Sequence, residues 1–156
     1  MSNGDLLEPE RVGCDLRASS KKRALEQLSQ LLATATPQLS EQEIFESLIG
    51  RERLGSTGLG QGVAIPHARI KGSDRAIGAF AKLATGVDFD AVDDQGVDLI
   101  FALLVPEHYT NEHLQILADL AEMFSDKDFC HRLRDASCDG ALYQLLEQRQ
   151  THREPA

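Results

Sequence analysis

Ile65-Pro66-His67 ends a run of small and apolar residues, Gly58-Leu59-Gly60-Gln61-Gly62-Val63-Ala64, and so presents one histidine beside a proline. Imidazole suits nucleophilic or proton-carrying work, because its ordinary pKa leaves much of it neutral near pH 7. The glycines beside it leave room for a partner's backbone to approach. Their spacing excludes two nucleotide-binding motifs. A P-loop needs a Lys-Ser/Thr pair after its glycines, and Gly55 to Gly62 contains no such pair. The dinucleotide fingerprint needs a third glycine where Val63 stands. Both motifs also run strand, loop, helix, whereas here a helix precedes the loop and a strand follows it.

Two further side chains are placed to join His67. Arg51 lies seven residues after Ile44 and three after Leu48. At about 100° per residue it shares their apolar face, while Arg53 points to the opposite side. An arginine on that face near a helix end needs an anionic or carbonyl partner. Local carbonyls, or water reached by snorkelling, would serve equally well. His113 shares a helical face with Leu117, Leu120 and Phe124, in the first turn of its helix. The same place suits a satisfied core histidine, and burial near a helix N-terminus favours the neutral ring. His108 falls in a loop, and His131 and His152 fall in charged surface stretches. His108 and His113 are too loosely placed for a zinc site. Glu107, Asp98 and the Asp93-Asp94 pair read as solvated turn charges.

A converging His67, Arg51 and His113 fits two chemistries. In phosphoryl transfer, His67 accepts the phosphoryl group while Arg51 and His113 stabilise its negative charge. In acid–base catalysis on a small substrate, His67 is the base. With no metal or nucleotide motif in the sequence, a protein is the favoured phosphoryl donor.

The elements that must position these residues follow from pattern. Val12, Cys14 and Leu16 alternate as in a short edge strand. Ser20 caps a helix over Lys21 to Ala33 with a Leu25, Leu28, Leu32 stripe, and Pro37 breaks the chain. Ser40 to Glu43 forms a capping box, with Leu39 and Ile44 set as its hydrophobic staple. That helix is expected to run to about Arg53 and stop at Gly55. Val63 to Ile65, Ile77 to Leu83 and Val97 to Val105 read as strands. The last is nearly continuous apolar, as a strand covered on both faces must be, and Pro106 ends it. Helices follow at about Asn111 to Phe124, Asp126 to Arg134 and Cys138 to Glu147. The fold class is therefore α/β: a single-domain sandwich, residues 1–156, with a mixed central β-sheet flanked by helices on both faces. The core is expected at about 12–147, with 148–156 a frayed polar tail.

Composition narrows the function classes. The 156 residues are 42% hydrophobic and 26% charged, with a formal net charge of −9, which suits a soluble domain. That charge argues against non-specific nucleic-acid binding and favours encounter with a basic protein face. No run of about 18 apolar residues could cross a membrane. Met1 to Asp5 carries no secretory pattern, so a cytoplasmic protein is expected. Cys14, Cys130 and Cys138, odd in number and without metal spacing, are expected to be reduced thiols.

These residues resemble a known family, the IIA domains of the fructose and mannitol class in the bacterial phosphoenolpyruvate phosphotransferase system. Within that class the chain is most similar to the nitrogen-regulatory IIA proteins. Ser20 to Glu26, Arg51 to Gly62, Val63 to Arg69 and Val97 to Pro106 carry the resemblance, which runs from about Cys14 to Leu146. It implies that His67 accepts a phosphoryl group on Nε2 from a small histidine phosphocarrier protein. It also implies that His113 is the second histidine of the site and that Arg51 is its arginine. The implied role is a phosphoryl carrier rather than a stand-alone turnover enzyme, with no cofactor, no metal and no membrane insertion. Its phosphorylation state would regulate partners such as potassium transporters or sensor kinases. The alternative inside the family is a sugar-specific IIA passing phosphate to the IIB domain of a permease, although Gly55-Ser56-Thr57-Gly58 leans towards the regulatory branch. Outside the family, one rival is an interaction module with an unmodified His67. The other is a small-molecule hydrolase, for which Ser56 is the one weak nucleophile. The chain departs from the family at Gln61, usually Asn, and at Ala68, usually Gly; an alanine there limits positive φ.

Overall fold

The apolar run that the sequence places at the centre is the strand around which the molecule is built. The structure is a computed structural model that describes residues 6–71, 75–108, 111–138 and 140–153, with the side chains of 112, 113 and 150–153 outside that description. In chain order the strands are β1 (Val12–Leu16), β2 (Gly58–Gly60), β3 (Val63–Ala64), β4 (His67–Ile70), β5 (Ile77–Val87) and β6 (Val97–Pro106). The helices are α1 (Lys21–Ala33), α2 (Glu41–Glu52), α3 (Asn111–Ser125), α4 (Lys127–Asp135) and α5 (Ala141–Arg153).

The sheet runs β1-β5-β6-β3-β2, and β4 also pairs with β6. β6 is antiparallel to β5 on one side and parallel to β3 and then β4 on the other. β1 is parallel to β5, and β2 and β3 form an antiparallel hairpin. The sheet is thus mixed, as expected, with one helical layer on each face.

Period-two alternation along β6 divides its side chains between two cores. Ile100, Ala102 and Leu104 join Leu25, Leu28, Leu32, Ile44 and Leu48 of α1 and α2. Leu99, Phe101, Leu103 and Val105 join the layer of α3, α4 and α5. On the first face the sheet presents Ala79, Ala81 and Ala102, so α1 and α2 can lie close to it. On the second, Phe80 stacks on Phe124 and Phe101 lies tilted against both, at centroid separations of 6.0–6.3 Å.

The local signals that stop and start the helices hold. Ser20 Oγ accepts from the Arg23 backbone N–H. Ser40 and Glu43 satisfy each other's backbone donors at 3.1 and 3.0 Å. Asp126 lies outside α4 as its N-cap. The ends of the chain differ from expectation. Leu6 and Leu7 are buried in the second core, and Gly78 donates to the Leu6 carbonyl at 2.7 Å, so packing begins before residue 12. α5 continues to Arg153, so much of the polar stretch after Gln148 is helical rather than a frayed tail.

The cysteine expectation is corrected. Cys14 and Cys138 are joined in a disulfide, 124 residues apart in sequence and 5.5 Å apart at Cα. Cys130 is free and buried. The sequence does not betray the pair, because only tertiary packing brings edge strand β1 beside the connection between α4 and α5.

Phe101 is fully buried between Phe80 and Phe124. Phe101→Ala is expected to cost about 3–5 kcal/mol, read as a lower urea midpoint with little change in slope.

Candidate functional site

β3 and β4 lie along the same edge of β6 but are not one strand, because Pro66 stands between them. Pro66 has no N–H to give to the ladder, yet its carbonyl still accepts from the Leu103 N–H at 2.9 Å. His67 resumes the pairing opposite Leu103. The Ile65 N–H is bonded to the Thr57 carbonyl at 3.1 Å. The Ile65 carbonyl lies 2.9 Å from His67 Nδ1. A carbonyl can only accept, so Nδ1 carries the ring hydrogen, and in neutral imidazole Nε2 holds the free lone pair. The half-buried ring is thus fixed in orientation and tautomer by backbone two residues away.

His67 and Arg51 border one open cleft of roughly 610 Å³, together with Ser47, Leu54, Arg69 and Leu114. Arg51 thus reaches this cleft from the last turn of α2. Its Nη1 also donates to the Gly55 carbonyl at 2.9 Å, which satisfies one orphan acceptor near the end of α2. One guanidinium thus tethers the loop and faces the cleft, with donors to spare. His113 belongs to the first turn of α3, next to Leu114; its side chain lies outside the described residues. His108 and His131 are exposed, while His152 has no described side chain.

The approach to His67 is held by polar residues that the sequence does not single out. Glu52, adjacent to Arg51, turns inward instead: its carboxylate takes the Lys21 ammonium at 2.9 Å and is 1% exposed. It also accepts from the Thr57 hydroxyl and backbone N–H. Through the Thr57 carbonyl and the Ile65 amide, this network leads to the carbonyl that holds His67. Ser56 hydrogen-bonds through its hydroxyl to the Phe89 carbonyl at 2.6 Å and accepts from the Gly58 N–H, so it serves the loop and is not an activated nucleophile.

The hairpin between β2 and β3 turns at Gln61 and Gly62, with φ of +58° and +83°. A two-residue hairpin turn with positive φ at both positions favours Asn-Gly. Gln61 therefore sits where a residue other than Gly or Asn is strained. Two partners offset that strain. The Gln61 N–H donates to Asp93 at 2.8 Å, and the Gln61 carbonyl accepts from Arg134 Nη2 at 2.9 Å. Arg134 in turn grips the Asp98 carboxylate through Nε and Nη2 at 2.9 Å each. This hydrogen-bonded pairing pushes the Arg134 pKa up. The backbone N–H groups of Gln61 and Gln95 hold the Asp93 carboxyl below the usual range. Asp98, half-buried in β6, is therefore a loop clamp rather than a solvated turn charge, whereas Asp93 is the exposed turn charge the sequence suggested and clamps the loop as well.

A histidine with a locked tautomer, on a parallel strand beside an arginine-lined cleft, is an arrangement suited to accepting phosphate. The family profile described as phosphoenolpyruvate-dependent sugar phosphotransferase system, EIIA 2, matches residues 5–149. The chain belongs to this EIIA type 2 family. A nitrogen regulatory protein of Pseudomonas aeruginosa is 48% identical over 141 residues, covering 90% of this chain and 92% of that one. One from Escherichia coli is 47% identical over 137 residues, covering 87% and 81%. The crystal structure of nitrogen regulatory protein IIA-Ntr from Neisseria meningitidis superposes with a TM-score of 0.85 at 42% identity, covering 94% of this chain and 97% of that one.

The two departures from the usual EIIA pattern acquire a physical reading. Gln61 acts through its backbone, as just described. Ala68 lies within β4, buried and paired with Leu104, so no positive φ is asked of it. Among the described residues, Cys14, Asp15 and Cys138 are a group with metal-ligand proximity. They belong to β1 and the α4–α5 connection, not to the His67 cleft.

Glu52→Ala would leave the Lys21 ammonium and Thr57 without their shared acceptor. A loss of about 3 kcal/mol is expected, since breaking a buried pair strands the remaining charge. Urea unfolding measures it, and Glu52→Ala combined with Lys21→Met should recover part of the loss.

Proposed function

We propose that this EIIA type 2 domain is a nitrogen-regulatory phosphorelay protein. His67 accepts a phosphoryl group on Nε2 from a histidine phosphocarrier protein, and the phosphorylation state governs which partners bind. The observation that carries this reading is the hydrogen bond from Nδ1 to the Ile65 carbonyl, which leaves Nε2 as the ring's nucleophilic nitrogen. In the transfer, the Nε2 lone pair forms a bond to phosphorus as the donor's P–N bond breaks and its electron pair returns to the donor nitrogen. The hydrogen on Nδ1 stays in place, and the Ile65 carbonyl dipole stabilises the positive charge the ring acquires. Arg51 supplies planar, delocalised donors to the phosphoryl oxygens. His113 is assigned as the second histidine on the family resemblance, from its place in the first turn of α3.

The rim of the cleft supports a protein donor. Leu54 and Leu114 are exposed apolar side chains lining the same cleft as the histidine, an anchor-like arrangement for docking. Phosphorylation adds roughly −1.5 to −2 charges there, enough to repel one partner and admit another. Potassium transporters and sensor kinases are the partner classes this reading carries, and the cytoplasm is its setting. The sugar-transport alternative has weaker support. A fructose-specific EIIA component of Haloferax volcanii is 32% identical over 139 residues, against 47–48% for the nitrogen regulatory proteins.

Incubation with phosphoenolpyruvate, the first enzyme of the relay and its phosphocarrier should add one acid-labile phosphoryl group by intact mass. His67→Ala should gain none. Arg51→Gln should accept it roughly a hundredfold more slowly, the scale of removing one charge-stabilising donor, with partial recovery in Arg51→Lys. A wild-type protein that gains nothing from an active carrier overturns the relay reading.

A further inference from the structure

The Cys14–Cys138 disulfide lies outside the His67 cleft. Cys14 is in edge strand β1 and half-buried; Cys138 is exposed in the connection between α4 and α5. β1 is distorted where the disulfide leaves it: its register with β5 shifts between Gly13 and Leu16, and Asp15 has a φ of +52°. Lys82 of β5 bridges the same junction. Its ammonium donates to the Arg134 and Ala136 carbonyls at 3.0 and 2.8 Å and lies 3.8 Å from the Asp15 carboxylate. Arg134, at the end of α4, is the residue that clamps the Gln61 carbonyl.

We propose that Cys14 and Cys138 form a reversible thiol–disulfide site whose closure clasps β1 to the end of α4 and steadies the Gln61–Gly62 turn through Arg134. An exposed disulfide sulfur is open to attack, and access is one determinant of exchange rate. In opening, a low-molecular-weight thiolate attacks the exposed Cys138 sulfur, the S–S bond breaks, and Cys14 leaves as a thiolate that takes a proton. A second thiol attacks the mixed disulfide and releases Cys138 as a thiol. Two electrons and two protons reach the protein, and the small thiol leaves oxidised as its disulfide. In closing, a low-molecular-weight disulfide accepts the same two electrons. Disulfides found in reducing compartments are characteristically transient and redox-sensing. The Asp15 to Lys82 contact would remain in the open form, so opening would loosen the junction without unfolding it.

The test uses the full chain in glutathione buffers from mostly reduced to mostly oxidised, quenched by alkylation and read by mass, with Cys130 as the buried internal reference. The expected result is a single two-thiol transition within that range, absent in both Cys14→Ser and Cys138→Ser. Amide exchange followed by mass spectrometry should show loss of protection at residues 12–16 and 134–138 on reduction, extending to residues 60–63. Cys14→Ser and Cys138→Ser should match the reduced pattern in every buffer. The proposal is overturned by no disulfide in the oxidised buffers, by a disulfide that survives the most reducing one, or by opening with unchanged exchange. Protection of both thiols by added zinc, without a disulfide at any poise, would overturn it in favour of a metal site built with Asp15, whose ligand atoms lie within 4.8 Å of theirs. None of these readouts requires His67 to be phosphorylated.

Discussion

Pro66 imposes the constraint on which the site depends. A strand running beside β6 would spend every donor and acceptor on its neighbours, leaving its side chains to be oriented by packing alone. At Pro66 the ladder loses a donor but keeps an acceptor, so the chain stays on β6 while its outer edge opens. On that edge the Ile65 amide still reaches Thr57, and the Ile65 carbonyl takes the His67 ring. The histidine is therefore bonded to backbone that is itself part of the sheet. A ring held this way has little freedom left to lose when it reacts, which is the advantage of a preorganised group. Its position is also tied to the most deeply buried strand of the molecule.

The asymmetry of the two cores extends this logic to Arg51. Alanines on one face of the sheet let α1 and α2 approach closely, and the phenylalanine cluster fills the opposite side. α2 then ends beside β4, and its last turn reaches the cleft. Large side chains at 79, 81 and 102 would push that helix outward and carry Arg51 with it. Packing thus sets the cleft's dimensions before any polar contact is made.

Much of this was legible in the sequence. The caps at Ser20 and Ser40, the two-faced strand at 97–106 and the two arginine faces at 51 and 53 are local signals, and local signals survive folding. His67 and Arg51, singled out there from flanking residues and from helical phase, come to line one cleft. What escaped were pairings set by tertiary geometry. Asp98 finds Arg134 across 36 residues, and Asp93 finds Gln61 across 32. Each looks like a turn charge until the loops are brought together. The three-residue β2 and the four-residue β4 are too short to show a period. Cys14 and Cys138 sit 124 residues apart, and no spacing rule reaches that far.

Arg51 and Glu52 show how neighbouring residues divide a task. One residue along a helix turns the side chain by about 100°, so the pair at the end of α2 faces two environments. Glu52 enters the interior, where Lys21 and Thr57 neutralise and bond it. Arg51 stays at the surface, where its guanidinium bonds the neutral Gly55 carbonyl. Reversing the order would bury the cation and present a carboxylate to the cleft, where it would repel any anion. A chain with a net charge of −9 thus turns one carboxylate of this helix end into the fold, where Lys21 meets it. The same carboxylate holds the loop that leads to His67, so the fold's electrostatic and mechanical requirements meet at one side chain.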